Sequence, residues 1–124
     1  MVIGLGSDIV SVRRIAGIAS RRSGFAGRIL TQLEMDIYEE RRRSPEFLAG
    51  RFAAKEAFLK ALGTGLGSGI LFSDIEISPG TSGAPLISFR GRAMESFSRI
   101  GGKKAFVSIS HEREYALAVA MIEG

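Results

Sequence analysis

The chain has 124 residues, 45% of them hydrophobic and 24% charged, which fits one globular domain of ordinary composition. It contains no cysteine, which excludes disulfides, thiolate metal sites and cysteine nucleophiles. A formal net charge of +4 points to an anionic partner: nucleic acid, a phosphorylated ligand or an acidic protein.

A chain of this size buries roughly two-thirds of its unfolded surface, enough for a core but not for a core plus a deep private pocket. A site at an edge or between subunits is therefore expected. Residues 1–8 carry no basic leader and only a short apolar run, and no stretch approaches the length of a membrane span. A cytoplasmic protein is the expectation.

In chain order, residues 2–6 read as a short buried strand that ends at Ser7-Asp8. Ser11 is placed to cap a helix over residues 12–20. Ser23-Gly24 breaks that pattern, and Thr31 opens a second helix with Glu34 completing a capping box. This helix runs to Arg41-Arg42-Arg43. Ser44 then caps a third helix over residues 45–62, with Pro45 at its first position and apolar residues at helical spacing. The glycine run from Gly63 to Gly69 stops it. A strand over 74–78, a Pro-Gly turn and a strand over 84–89 follow, then a helix over 91–100 ended by Gly101-Gly102. The alternating runs 105–110 and 115–122 make a closing hairpin. Helices and strands mix without a regular βαβ repeat, so the class is α+β, a single domain over residues 1–124.

Asp8 follows an apolar strand, where a carboxylate either points into a cleft or caps the next helix; from position alone the cap ranks first. Glu56 lies on the apolar third helix, either as a ligand-facing carboxylate or as a solvated charge paired with Lys60 four residues on. If the two acids converge, two hard oxygen ligands with waters and a phosphate suit Mg²⁺ at about 2.1 Å. Lys55 and Lys60 flank Glu56 and either reach a phosphate or simply solubilise the helix. The glycine run could let backbone amides approach a pyrophosphate, but its first role is to stop the helix. His111, the only histidine, sits at a strand end. Arg13, Arg14, Arg21, Arg22 and Arg28 lie in a stretch without acids, with Phe25 and isoleucines among them. Such a surface suits an acidic helical partner, or nucleic acid phosphates.

Gly6-Ser7-Asp8-Ile9-Val10, Phe52-Ala53-Ala54-Lys55-Glu56-Ala57 and Ser108-Ile109-Ser110-His111-Glu112 resemble, in this order, the three motifs of the holo-acyl-carrier-protein synthase family, the small bacterial 4′-phosphopantetheinyl transferases. The central motif continues through Phe58 to Gly65, and Gly83-Ala84-Pro85 is similar to the family's short turn before its next strand. The early arginines match only in character. The resemblance implies a small, mainly antiparallel sheet packed by the long central helix and N-terminal helices. It also implies a homotrimer with sites between subunits, coenzyme A as co-substrate, and Mg²⁺. Asp8 and Glu56 would then be the metal ligands and, with Lys60, the catalytic set. Lys60, Arg51, Gly63, Thr64, Gly65 and His111 would contact coenzyme A. Arg13, Arg14, Arg21, Arg22, Phe25 and Arg28 would dock an acidic acyl carrier protein, for fatty-acid biosynthesis or for polyketide carriers. A competing reading is a non-enzymatic nucleic-acid-binding module; with Phe25 the only aromatic residue in the basic segment, it offers few stacking positions.

Overall fold

The computed structural model describes residues 1–64 and 68–124. The chain forms β1 (Val2–Ser11), α1 (Val12–Arg21), α2 (Phe25–Ile29), α3 (Gln32–Glu40), α4 (Pro45–Ala61), β2 (Ile75–Pro79), β3 (Pro85–Phe89), α5 (Gly91–Arg99), β4 (Lys104–His111) and β5 (Tyr115–Glu123). β1, β5 and β4 make one antiparallel sheet in the order β1-β5-β4, and β2 pairs with β3 in a second.

The helix starts follow their local chemistry. Ser11 Oγ accepts from the Arg14 amide at 3.1 Å, and Ser44 Oγ from the Phe47 amide at 3.3 Å with Pro45 beginning α4. Thr31 and Glu34 form the reciprocal capping box of α3. Gly63 ends α4 in the left-handed conformation, at φ +77°. The short α2 is not expected from the sequence, because in five residues Gly27 and Arg28 interrupt its apolar face. A 3-10 turn at Phe72–Asp74 precedes β2.

Two expectations for the first strand are corrected. β1 does not stop at Ser7-Asp8 but runs to Ser11, with Asp8 inside the ladder opposite Ala118. Nor is it buried along its apolar residues: Leu5 is 66% and Ile9 62% exposed, while Gly6 and Val10 face the core. A strand sends alternate residues to opposite faces, and here the glycines took the inner one.

That inversion places the site. α4 lies across β1 and β5, and the surfaces that meet are made of small residues: Gly4 and Gly6 on β1, Ala116, Ala118 and Ala120 on β5, and Ala53, Ala57 and Ala61 on α4. A Cβ on Gly4 would overlap the Ala61 carbonyl, and one on Gly6 the Ala57 carbonyl. Two strand residues advance about 6.8 Å and four helix residues about 6 Å, so the two elements stay nearly in step. The next inward residue after Gly6, Asp8, is thereby delivered beside the turn that carries Glu56. Gly6→Ala forces strand and helix apart; we expect it to lose about 3 kcal/mol in urea unfolding, and an unchanged midpoint would show that α4 is not held this closely.

Behind α4, Lys55 and Glu34 form a fully buried ion pair at 2.6 Å. Lys55 Nζ also donates to the carbonyls of Ile29, at 2.6 Å, and Phe72, at 3.2 Å. Glu34 accepts further from the amides of Thr31 and Ile77. One network thus joins α2, α3, α4, the 3-10 turn and β2. Burial is the main influence lowering the Lys55 pKa, opposed by the Glu34 charge and hydrogen bond.

Candidate active site

β1 supplies Asp8 on its inner face; α4 supplies Glu56 and, one turn later, Lys60 on the same side. Side chains of a helix lean toward its N-terminus, so Lys60 reaches back over Glu56 toward the strand. Lys60 Nζ donates to the Ser7 carbonyl at 2.9 Å and to Asp8 Oδ1 at 3.2 Å. Asp8 Oδ2 is buried and has no hydrogen-bond partner among the described residues. Burial pushes the Glu56 carboxyl above its usual range, the Asp8 charge pushes it further, and the Lys60 ammonium pulls it part of the way back. Three charged groups therefore converge on one wall, with one acceptor oxygen left unused.

The bland readings of these residues fail in specific ways. Asp8 does not cap α1, because Ser11 does. The Lys60 ion pair is with Asp8 rather than Glu56. Lys55 neither reaches a surface phosphate nor solubilises the helix: its side chain is wholly buried in the network behind the site. Its position on α4, one residue before Glu56, turns it to a different side of the helix.

The remaining residues lie elsewhere on the protomer. Arg51 sits on another side of α4, its guanidinium 4.3 Å from the Phe47 ring centroid and 3.5 Å from the Ile77 carbonyl, with Nε buried and without a partner among the described residues. His111 ends β4, exposed, in the row of Val10 and Ala116. Two strand spacings separate it from β1, roughly 10 Å. Gly63 and the half-buried Thr64 follow directly on α4, close in sequence to Lys60; Gly65 lies outside the described residues.

Arg13, Arg14 and Arg21 line a groove of about 470 Å³ along α1. Arg22, Phe25 and Arg28 line a larger one of about 630 Å³, floored by Ile29, Phe52, Ile70 and Phe72. Among the described residues none of these five arginines has an ion pair. The apolar floor is what sequence reasoning missed. Phe52 reads as ordinary helix core, and Ile70 and Phe72 fall between the glycine run and the next strand, where no periodicity marks them.

Two carboxylates and an ammonium thus share one wall, and the same protomer carries two arginine-lined grooves. The 4′-phosphopantetheinyl transferase superfamily model matches residues 4–120, and the chain belongs to that superfamily. It is 47% identical over 131 aligned positions to the holo-[acyl-carrier-protein] synthase of Shewanella loihica, covering 99% of this chain and 98% of the relative. The holo-[acyl-carrier-protein] synthase structure from Neisseria meningitidis superposes with a TM-score of 0.91 at 35% identity, covering all of both chains. That from Bacillus anthracis, in complex with CoA (3′,5′-ADP), superposes at 0.81 with 35% identity, covering 98% of this chain and 96% of that one.

Proposed function

We propose that residues 1–124 form one transferase domain that moves the 4′-phosphopantetheine group of coenzyme A onto a serine of an apo acyl carrier protein, with Mg²⁺ held between Asp8 and Glu56. The observation that carries the metal reading is the buried Asp8 Oδ2, without a partner among the described residues, beside a second carboxylate whose ionised form is disfavoured. Hard oxygen donors in this state suit a small divalent cation. When bound, the ion neutralises and orients the pyrophosphate.

The chain's own groups account for the rest. The carrier serine hydroxyl attacks the β-phosphorus of coenzyme A; its bond to phosphorus forms as the bond to the bridging oxygen breaks. Glu56 takes the hydroxyl proton. The Lys60 ammonium stabilises the departing adenosine 3′,5′-bisphosphate. Gly63 and Thr64 border the pyrophosphate, and Arg51 and His111 hold phosphate groups. Phosphoryl transfer needs mainly position and charge, so this short list suffices. The acidic carrier docks on Arg13, Arg14, Arg21, Arg22 and Arg28, with Phe25 and the apolar floor receiving its side chains. Incubation with coenzyme A and Mg²⁺ is expected to add a phosphopantetheine mass to purified apo acyl carrier proteins. No gain on any of several carriers, while a control synthase converts them all, would sink the reading.

The active unit is a homotrimer with sites between subunits, in the cytoplasm; no described helix is long and apolar enough to cross a membrane. The outer face of the β1-β5-β4 sheet supports the assembly: Leu5, Ile9, Phe106, Tyr115, Leu117 and Val119 are all exposed on one protomer. Contiguous apolar surface of this kind marks a protein interface. Arg51 and His111, remote from Asp8 within a protomer, are then supplied across the interface. Light scattering should give three times the 13.3 kDa chain mass. Leu117→Asp should yield monomers with little turnover; a monomeric wild type of full activity would contradict the arrangement.

A further inference from the structure

Lys60 is placed where a cation belongs. Its ammonium is 3.2 Å from Asp8 Oδ1 and 2.9 Å from the Ser7 carbonyl, and these are the acceptors that β1 turns toward α4. The partners differ sharply in freedom: the Lys60 side chain is 54% exposed and Asp8 only 16%. Asp8 is fixed in a strand ladder, while Lys60 hangs on a flexible stem with three donors and can leave at little cost. An ion pair this exposed is weak and easily exchanged. Without such a counter-charge, Asp8 and Glu56 would face one another as two like charges in a half-buried site.

We infer that Lys60 is the built-in counter-ion of the metal-free site, and that a divalent cation displaces it from Asp8. The inference rests on the reading of Asp8 and Glu56 as metal ligands. Its consequence is an ordering of events. While the site is empty of metal, the ammonium is tied to β1. Loading the site frees it to turn outward to a phosphate, so the group that stabilises the departing bisphosphate becomes available only once the carboxylates have their ion. Glu56 alone could not enforce that order, because Lys60 donates to Asp8 and not to Glu56.

The test is Mn²⁺ binding, measured by calorimetry on the full chain without coenzyme A, for wild type, Lys60→Met and Asp8→Asn. Lys60→Met is expected to bind about fivefold tighter than wild type, the size of one half-exposed ion pair. That gain should persist at about 0.5 M salt, where long-range fields are screened and direct competition is not. A gain that vanishes in salt, equal or weaker binding by Lys60→Met, or no binding by it at millimolar metal overturns the displacement. Loss of binding in Asp8→Asn accompanying equal binding by Lys60→Met leaves the metal site standing and removes only the counter-ion role. Undiminished binding by Asp8→Asn overturns the metal-site reading itself.

Discussion

Glu56→Gln is expected to lower turnover by about 10³-fold while the protein stays folded. The substitution keeps the size and hydrogen-bonding reach of the side chain but removes its charge and its capacity to take a proton. General-base assistance alone accounts for ~10²–10⁴ in rate, and loss of half of a two-carboxylate ion site adds to it. The stability effect has the opposite sign. Burial and the Asp8 charge hold the Glu56 carboxyl above its usual pKa, so in the metal-free protein at neutral pH its ionised form is a net cost to folding. Glutamine removes that cost, and the metal-free variant should melt no lower than wild type. Stability given up for function in this way is common at active sites. Assay of carrier modification alongside thermal unfolding in chelator checks both halves: full activity would remove Glu56 from the chemistry, and a marked fall in melting temperature would show it to be structural.

The largest loss of stability is expected one residue earlier. Lys55→Met keeps a long apolar stem but leaves Glu34 buried without its ammonium, and the carbonyls of Ile29 and Phe72 without their donor. Breaking a buried pair from one side costs ~3–5 kcal/mol. For a domain of this size that lowers the melting temperature by roughly 15 °C. The double variant Lys55→Met with Glu34→Gln should recover part of the loss, because the stranded charge is then gone and the amide still accepts from Thr31 or Ile77. If Lys55→Met melts like wild type, the network does not bind the helices together as the geometry indicates. Adjacent residues on one helix thus serve opposite ends: Lys55 stabilises the fold and leaves the surface, while Glu56 faces the site and strains it.

The difference between those two residues shows where the sequence is legible. Both look alike as charges in an alanine-rich helix, and both admit a surface reading. What separates them is the side of α4 that faces β1 and the side that faces α3, which depends on packing partners distant in the chain. Helix starts were readable because they are local: Ser11, Thr31 and Ser44 make their capping bonds within three residues. The closing hairpin was readable because its alternation is regular. β1 was misjudged for a physical reason. Its apolar residues are the outward ones, and its inner face is glycine because α4 lies so close, an arrangement that hydrophobic patterning reads backwards. The three motifs marked Asp8, Glu56 and His111 together, yet among the described residues of one protomer the carboxylates Asp8 and Glu56 meet Lys60 and not His111. The groove floor of Phe52, Ile70 and Phe72 is assembled from separate segments and left no pattern in any of them.

Diffraction from crystals grown with coenzyme A and Mn²⁺, the metal serving as an anomalous stand-in for Mg²⁺, examines the core of this account directly. The expected outcome is one anomalous peak bridging Asp8 and Glu56, at distances near the ~2.1 Å of hard-cation carboxylate ligation, with the pyrophosphate beside it. A peak bound by other residues, or a bound coenzyme whose pyrophosphate lies away from these two acids, would contradict it.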